Sequence, residues 1–425
     1  MKIAVLSDFH FGFSYSPELE NDSFENAEEA IEKALDCDLI LLAGDVFDSR
    51  IPKTSVWAKA LKVLVKPLLK ESLGLKLVSC SKELKDITKR TLSHLPVVAI
   101  HGTHERRGRD EVNALQALEN AGILIYLHQN TIVFEKEGKR VAVHGMSGVP
   151  ERYAKDFLYS WNPKPLEDCF NILLIHQSIE PYVYSPLEPP TLNLSNLPKG
   201  FDIIIDGHVH SPALEKIGNT LLIFPGSTIV TQFEKNEALA EKGIFKIEIN
   251  EQVKVSFEKL EKIRRFFYEE VKVESFQARE QVEKLIRKIL EQKFSKLPLI
   301  RIKVIGKETD ISDQDLREIE KKFSNQTILN LVKQLETQEI AKKVEFLRDL
   351  REQKLSVEEI GLTILKKNLE ELGFNFSFDP ENVFDLLSEG ETEKVFNVLI
   401  GEQKTLEKVL KKPLEAQKGL ERWAR

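Results

Sequence analysis

Six short apolar runs, each ended by an aspartate or a histidine, constrain this chain more than any other feature. Residues 2–7 (Lys-Ile-Ala-Val-Leu-Ser) run into Asp8, 38–44 (Asp-Leu-Ile-Leu-Leu-Ala-Gly) into Asp45, and 96–102 (Pro-Val-Val-Ala-Ile-His-Gly) into Thr103 and His104. The runs 140–145, 171–176 and 202–208 end at His144 and Gly145, at His176, and at Gly207 and His208. Each is too short for a buried helix and rich in branched residues, as a strand covered on both faces should be. Helical periodicity at 24–36, 54–72 and 110–121 separates several of them. The alternation predicts an α/β sandwich with these strand ends gathered on one sheet. Polar groups at the C-terminal ends of such strands sit where a rigid scaffold usually places chemistry.

The pattern changes after about residue 260. Strands are expected at 266–274, 299–305 and 327–335, and helices at 278–292 and 312–323, the second capped by Ser312. Residues 337–354 are charged and read as a linker. A helix is expected at 356–372, ended by Gly373, and another from Asp379 through Leu387. With 425 residues the chain has room for two or three domains. Its three cysteines, Cys37, Cys80 and Cys169, form no CxxC pair, which excludes a disulfide framework or a thiolate zinc module and suits a reducing compartment. The opening Met-Lys-Ile-Ala-Val-Leu-Ser-Asp has no signal-peptide pattern, and no apolar run approaches the roughly 18 residues of a membrane span. A soluble cytoplasmic protein is expected.

Net charge is −7 (61 basic, 68 acidic), so a globally basic nucleic-acid binder is excluded, but a local basic surface is not. Residues 1–50 hold 3 basic and 12 acidic side chains, whereas 51–100 hold 10 and 3. An acidic block beside a basic one fits metal-binding carboxylates next to a phosphate-binding surface.

The candidate metal ligands, in order, are Asp8, His10, Asp45, His104, His176, His208 and His210. Asp8 and His10 are two apart and so share one side of an extended segment; His208 and His210 repeat the spacing. Carboxylate with imidazole suits Mn, Fe or Zn better than Mg or Ca, and a set without thiolates suits an open catalytic site. Two metals about 3.5–4 Å apart activate water and clamp an attacked phosphorus. A single Asp or His at a strand end is more often a cap, but seven in succession are not explained that way. His94, His101 and His128 match no ligand pattern and are read as structural, as is His144.

The order Asp-x-His, Gly-Asp, Gly-x-His-Glu, His, Gly-His-x-His resembles the calcineurin-like metallophosphoesterases. Ser7-Asp8-Phe9-His10-Phe11-Gly12, Ala43-Gly44-Asp45-Val46-Phe47-Asp48, Ile175-His176-Gln177, Asp206-Gly207-His208-Val209-His210 and Phe224-Pro225-Gly226-Ser227 are similar to the Mre-eleven/SbcD family of double-strand-break repair nucleases, archaeal type. The resemblance implies a phosphoesterase β-sandwich flanked by helices at 1–262, a small α+β capping domain at 263–336, a linker at 337–354, and a helical partner-binding segment at 355–425. It further implies two Mn²⁺ ions or other divalent metals. One would be held by Asp8, His10, Asp45 and His210, the other by Asp45, His176 and His208, with His104 as the catalytic histidine. The implied activity is exonuclease on double-stranded ends and endonuclease on single strands. The implied partners are DNA, a coiled-coil ATPase of the Rad-fifty/SbcC type and a second copy of the chain, with a nucleoid-associated location. The family usually has Gly-Asn-His-Asp where this chain has Gly102-Thr103-His104-Glu105, so Thr103 offers a hydroxyl where a carboxamide oxygen binds metal. Many members also have a His where Asp48 stands. A weaker second metal and weaker exonuclease activity are the expected consequences.

Arg106, Arg107 and Arg109 follow His104 directly, and at least one could reach a substrate phosphate. Lys59, Lys62, Lys66 and Lys70 fall roughly on one helix face and are read chiefly as a solvated face. Val357, Ile360, Ile364, Leu365 and Leu369 form an apolar stripe suited to a partner. The competing readings are a phosphoesterase on another phosphodiester or phosphoprotein, and a weakly catalytic scaffold for DNA and ATPase.

Overall fold

A computed structural model describes the chain except residues 84, 86, 109–110, 184–191, 274–276, 307–310, 336–356, 372–378, 389, 393, 397 and 399–425. It separates into two units. The first comprises residues 1–106 and 112–341, the second 107–111 and 342–425.

The first unit holds two facing sheets. One has six strands in the order Val253–Lys259, Gly243–Ile249, Lys2–Leu6, Leu39–Leu42, Val97–Ala99, Ile125–Tyr126. Lys2–Leu6 through Ile125–Tyr126 run parallel, and Gly243–Ile249 pairs antiparallel with Lys2–Leu6. The other has seven, in the order Ala213–Ile217, Thr220–Phe224, Ile203–Asp206, Phe170–Ile175, Lys139–Met146, Asn130–Lys136, Lys76–Cys80. The strand ends therefore divide between two sheets rather than sharing one. Asp8, Asp45 and His104 follow strands of the first sheet; His176, His208 and His210 follow strands of the second.

Side-chain alternation explains the unbroken apolar runs. Ile3, Val5, Leu39 and Leu41 point between the sheets and pack on Phe134, Val143, Ile172 and Ile203. Ala4, Leu6, Ile40 and Leu42 point outward, under the helices Asp22–Ala34, Thr54–Leu64 and Ala114–Asn120. The second sheet buries Leu173, Ile175 and Ile204 outward beneath Ala154–Trp161. Both faces of each central strand are covered, so neither register tolerates polar residues until the strand ends.

The helix expected at 54–72 stops at Leu64 and gives way to a short 3₁₀ turn, Lys66–Leu69. Pro67 has no N–H with which to continue an α-helix. Lys59 and Lys66 are occupied by Glu20 (2.6 Å) and by Glu28 and Glu32 (2.6 and 2.5 Å), which matches a solvated face. The helix expected at 110–121 is Ala114–Asn120, started by a capping box between Asn113 and Gln116.

Beyond residue 262 the same unit carries three parallel strands, Phe266–Lys272, Leu299–Gly306 and Ile328–Leu335, with Leu299–Gly306 in the centre. The helices Ala278–Leu290 and Asp313–Phe323 bury Val282, Ile286, Leu316 and Ile319 against Ile300, Ile302 and Val304. Ser312 caps the second helix, its hydroxyl accepting from the Asp315 N–H at 3.1 Å. Arg264 anchors this layer to the first helix through two hydrogen bonds to Asp22, 2.6 and 3.0 Å.

In the second unit, Val357–Glu371 and Pro380–Ser388 are helices joined by an ion pair between Lys366 and Glu381, 3.0 Å. Gly361 lies under the Phe384 ring, where a Cβ would come within 2.7 Å. Residues 337–354, expected as a linker, lie outside the described residues.

Candidate metal centre

The loops after Leu6 and Leu42 continue side by side: the Asp8 N–H donates to the Gly44 carbonyl, His10 to Asp45 and Phe11 to Val46, all at 2.9–3.0 Å. This pairing brings Asp8, His10 and Asp45 together, and all three hold left-handed backbone, with φ of 52°, 47° and 47°. Such conformations cost about 1–3 kcal/mol in non-glycine residues and persist where surrounding contacts enforce them, commonly at functional sites. Two glycines let the remaining loops approach. A Cβ on Gly102 would lie 2.2 Å from Asp45 Oδ1, and one on Gly207 would lie 2.0 Å from the Ala43 carbonyl oxygen.

Three overlapping groups of potential ligand atoms result: Asp8, His10 and His210; Asp8, Asp45 and His176; and His10, Asp45 and His104. His10 Nε2 and His210 Nε2 are 3.3 Å apart, with Asp8 Oδ1 3.7 and 3.4 Å from them. His176 Nε2 is 3.3 Å from Asp45 Oδ2. On each of these rings the other nitrogen is engaged outward. His10 Nδ1 faces Asp48 Oδ1 (3.1 Å), His176 Nδ1 donates to the Ala43 carbonyl (2.8 Å), and His210 Nδ1 is hydrogen-bonded to Thr231 Oγ1 (2.9 Å). Outward bonds of this kind fix the tautomer of metal-binding histidines and turn the free nitrogen inward.

The residues present fit a divalent cation. Asp8 is fully buried, yet neither of its carboxylate oxygens accepts a hydrogen bond, and His176 Nε2 is equally unsatisfied. Buried polar atoms without partners are costly unless a ligand completes them. The electrostatics agree. Burial opposes ionisation of Asp8 and Asp45, but the flanking imidazoles outweigh it and hold both carboxyls below their usual range. Burial would likewise lower His10 and His176, but the carboxylates around them, Asp48 and Asp8 for His10 and Asp45 for His176, push both up to about 10. The cluster is built to surround positive charge.

His104 is 43% exposed at its side chain. Its N–H donates to Asp45 Oδ1 (2.8 Å), and its Nδ1 donates to the Asp48 carbonyl (2.9 Å), which leaves Nε2 as its second functional nitrogen. Thr103 sits half-buried in the same turn. His208 is outside the three groups; its ring stands edge-on to His176 at 5.5 Å between centroids. Arg106 Nη1 is buried without a hydrogen-bond partner. Arg107 belongs to the second unit and pairs with Glu111 (3.0 Å), and Arg109 lies outside the described residues. His144, between Thr131 and Asn171, and His101, between Tyr126 and the Gly148 carbonyl, are satisfied core histidines.

Three residues beside the ligands were not expected in these roles. Asp48 stands behind His10. Asp206 is fully buried, with burial pushing its carboxyl up to about 6, and accepts the Gln177 and His208 N–H groups at 3.0 and 3.3 Å. Glu105, pushed up to about 8 by burial and then by Asp45, accepts those of Phe47 (2.8 Å) and Gly102 (3.1 Å). Their acidic character within the motifs is the only sequence signal for them.

The calcineurin-like phosphoesterase model matches residues 1–212. The DNA double-strand break repair protein Mre11 of Methanopyrus kandleri is 26% identical over 344 residues, covering 75% of this chain and 67% of that protein. The double-strand break repair protein MRE11 of Mus musculus is 27% identical over 306 residues, covering 64% of this chain and 42% of that protein. Mre11 of Methanococcus maripaludis is 25% identical over 259 residues, covering 57% of this chain and 61% of that protein. The chain thus spans two thirds or less of the length of these relatives. Their similarity extends past the phosphoesterase segment into the second half of the chain; residues 1–212 form a calcineurin-like phosphoesterase domain, and the chain is similar to the Mre11 proteins well beyond it.

Proposed function

We propose that the chain is a metal-dependent phosphodiesterase that cleaves DNA, as an exonuclease on double-stranded ends and an endonuclease on single strands, in double-strand-break repair. The observation that carries this reading is the convergence of the inward nitrogens of His10, His176 and His210 and the Asp45 carboxylate around the unsatisfied oxygens of Asp8. The names of the relatives, double-strand break repair proteins, supply the substrate class. Asp8, His10, Asp45 and His210 would hold one divalent ion, and Asp45, His176, His208 and Thr103 the other; manganese suits this ligand set. Bound there, such ions polarise a phosphoryl oxygen and lower the pKa of water.

The chain's own groups do the rest. His104, with Nδ1 committed to the Asp48 carbonyl, presents Nε2 and can give a proton to the leaving oxygen. Asp48 orients His10 through its Nδ1, and Asp45 holds the His104 turn through its N–H. Of the three arginines, Arg106 is the first choice for a phosphate contact because one of its nitrogens lacks a partner, and Arg107 and Arg109 are retained as further contacts. The division into domains at 1–262, 263–336 and 355–425, docking of the last on a Rad-fifty/SbcC-type ATPase, homodimerisation and a cytoplasmic, nucleoid-associated location belong to the same reading. Among the described residues, no helix is long and apolar enough to cross a membrane.

The experiment compares a labelled blunt duplex with bis(p-nitrophenyl) phosphate under Mn²⁺. Shortening of DNA strands supports the reading. Turnover of the small diester with intact DNA favours a phosphoesterase on another substrate.

A further inference from the structure

One buried charge near the metal centre has no part in the chemistry above. Lys242 is 5% exposed. Its three ammonium hydrogens have three acceptors: Ser227 Oγ at 2.6 Å, Glu237 Oε1 at 3.1 Å and the His210 carbonyl at 3.4 Å. Glu237, itself buried, accepts the N–H groups of Thr231 (3.1 Å) and Gln232 (2.6 Å), and its Oε1 lies 3.7 Å from His210 Nδ1. Thr231 Oγ1 is hydrogen-bonded to that same nitrogen at 2.9 Å. The segment reaches Asp8 as well, because the Thr228 N–H donates to the Asp8 carbonyl at 3.2 Å, while the Ser227 N–H donates to the His210 carbonyl at 3.1 Å.

A buried ion pair is a weak source of stability, since well-packed apolar residues of the same volume often serve as well or better. Here it grips both ends of one ligand: the backbone carbonyl of His210 through Lys242 and Ser227, and the outer ring nitrogen through Thr231 with Glu237 beside it. We propose that Lys242, acting with Glu237 and Thr231, is a positioning residue that fixes His210 with Nε2 turned toward Asp8 and His10, so that one metal position is formed before the metal arrives. The inference rests on the metal-centre reading above. Partners that orient metal-binding histidines typically contribute 10–100-fold to metal affinity.

The test uses the full-length protein with Lys242→Met, and Lys242→Met combined with Glu237→Gln. The single variant leaves a buried carboxylate unpaired and should lose both thermal stability and Mn²⁺ affinity. The double variant removes that unpaired charge. Its unfolding temperature should recover relative to the single variant, while Mn²⁺ affinity by calorimetric titration stays at least tenfold below wild type. Recovery of affinity in step with stability overturns the proposal, because the pair is then structural only. Imidazole ¹⁵N–¹H correlation of the metal-free proteins supplies a second readout, with His210 signals expected to shift in the double variant. If wild type binds no Mn²⁺, the metal reading fails separately, and unchanged His210 signals then overturn the positioning role as well.

Discussion

His104 is the side chain at which rate and metal retention should separate. It touches Asp45 only through its backbone N–H and holds Nδ1 on a carbonyl, so its ring is spare for proton transfer. His104→Asn is expected to lower the cleavage rate by about 10²–10⁴, the usual worth of general acid help, while elemental analysis finds wild-type metal content. Loss of the metal with the ring would make it a ligand instead. His10 and His176 behave differently. With both pushed up to about 10, they carry protons at neutral pH in the metal-free protein. A metal must displace those protons, so apparent affinity should rise as pH rises toward 10, by about tenfold per pH unit for each proton expelled. Calorimetry in two buffers of different ionisation heat measures the release directly; equal heats in both would contradict it. The ligand types were legible because each Asp or His interrupts a run that is otherwise apolar. Asp48 was readable only as a departure from the family pattern. Its work on His10 depends on a loop pairing that no local spacing records.

The strands and helices carry a second lesson. Apolar runs reveal a strand covered on both faces, but they do not say which strands are neighbours. Lys2–Leu6 and Ile203–Asp206 have the same character and belong to different sheets, so the meeting of strand ends from two sheets at the metal centre could not be read from either run. The three-stranded layer beyond residue 262 was more legible, because its strands and helices alternate in order and Ser312 marks a helix start. Most of its buried side chains form one cluster, while Phe266, Leu299 and Ile328 pack with Leu19 and Phe233. Ile302, fully buried on the central strand, packs among Val282, Ile286 and Ile319. Ile302→Ala should cost about 2–5 kcal/mol through lost burial and a cavity. Urea denaturation followed by far-ultraviolet circular dichroism should register that loss while the Mn²⁺ isotherm stays unchanged. A parallel loss of metal binding would mean that this layer and the metal loops share one cooperative core.

All candidate ligands precede residue 211, and no histidine follows His210. Truncation after Lys354 should therefore leave Mn²⁺-dependent cleavage of single-stranded DNA intact while abolishing co-elution with the coiled-coil ATPase proposed as its partner; retained co-elution would place docking elsewhere. Asp45 is the one aspartate shared between the group around His176 and the group around His10 and His104, and the whole metal centre turns on it. The most direct measurement follows strand length of a labelled blunt duplex with Mn²⁺, comparing wild type with Asp45→Asn. Shortening is expected with wild type and none with the variant, whose thermal unfolding remains cooperative. Undiminished cleavage by a folded Asp45→Asn protein would contradict it.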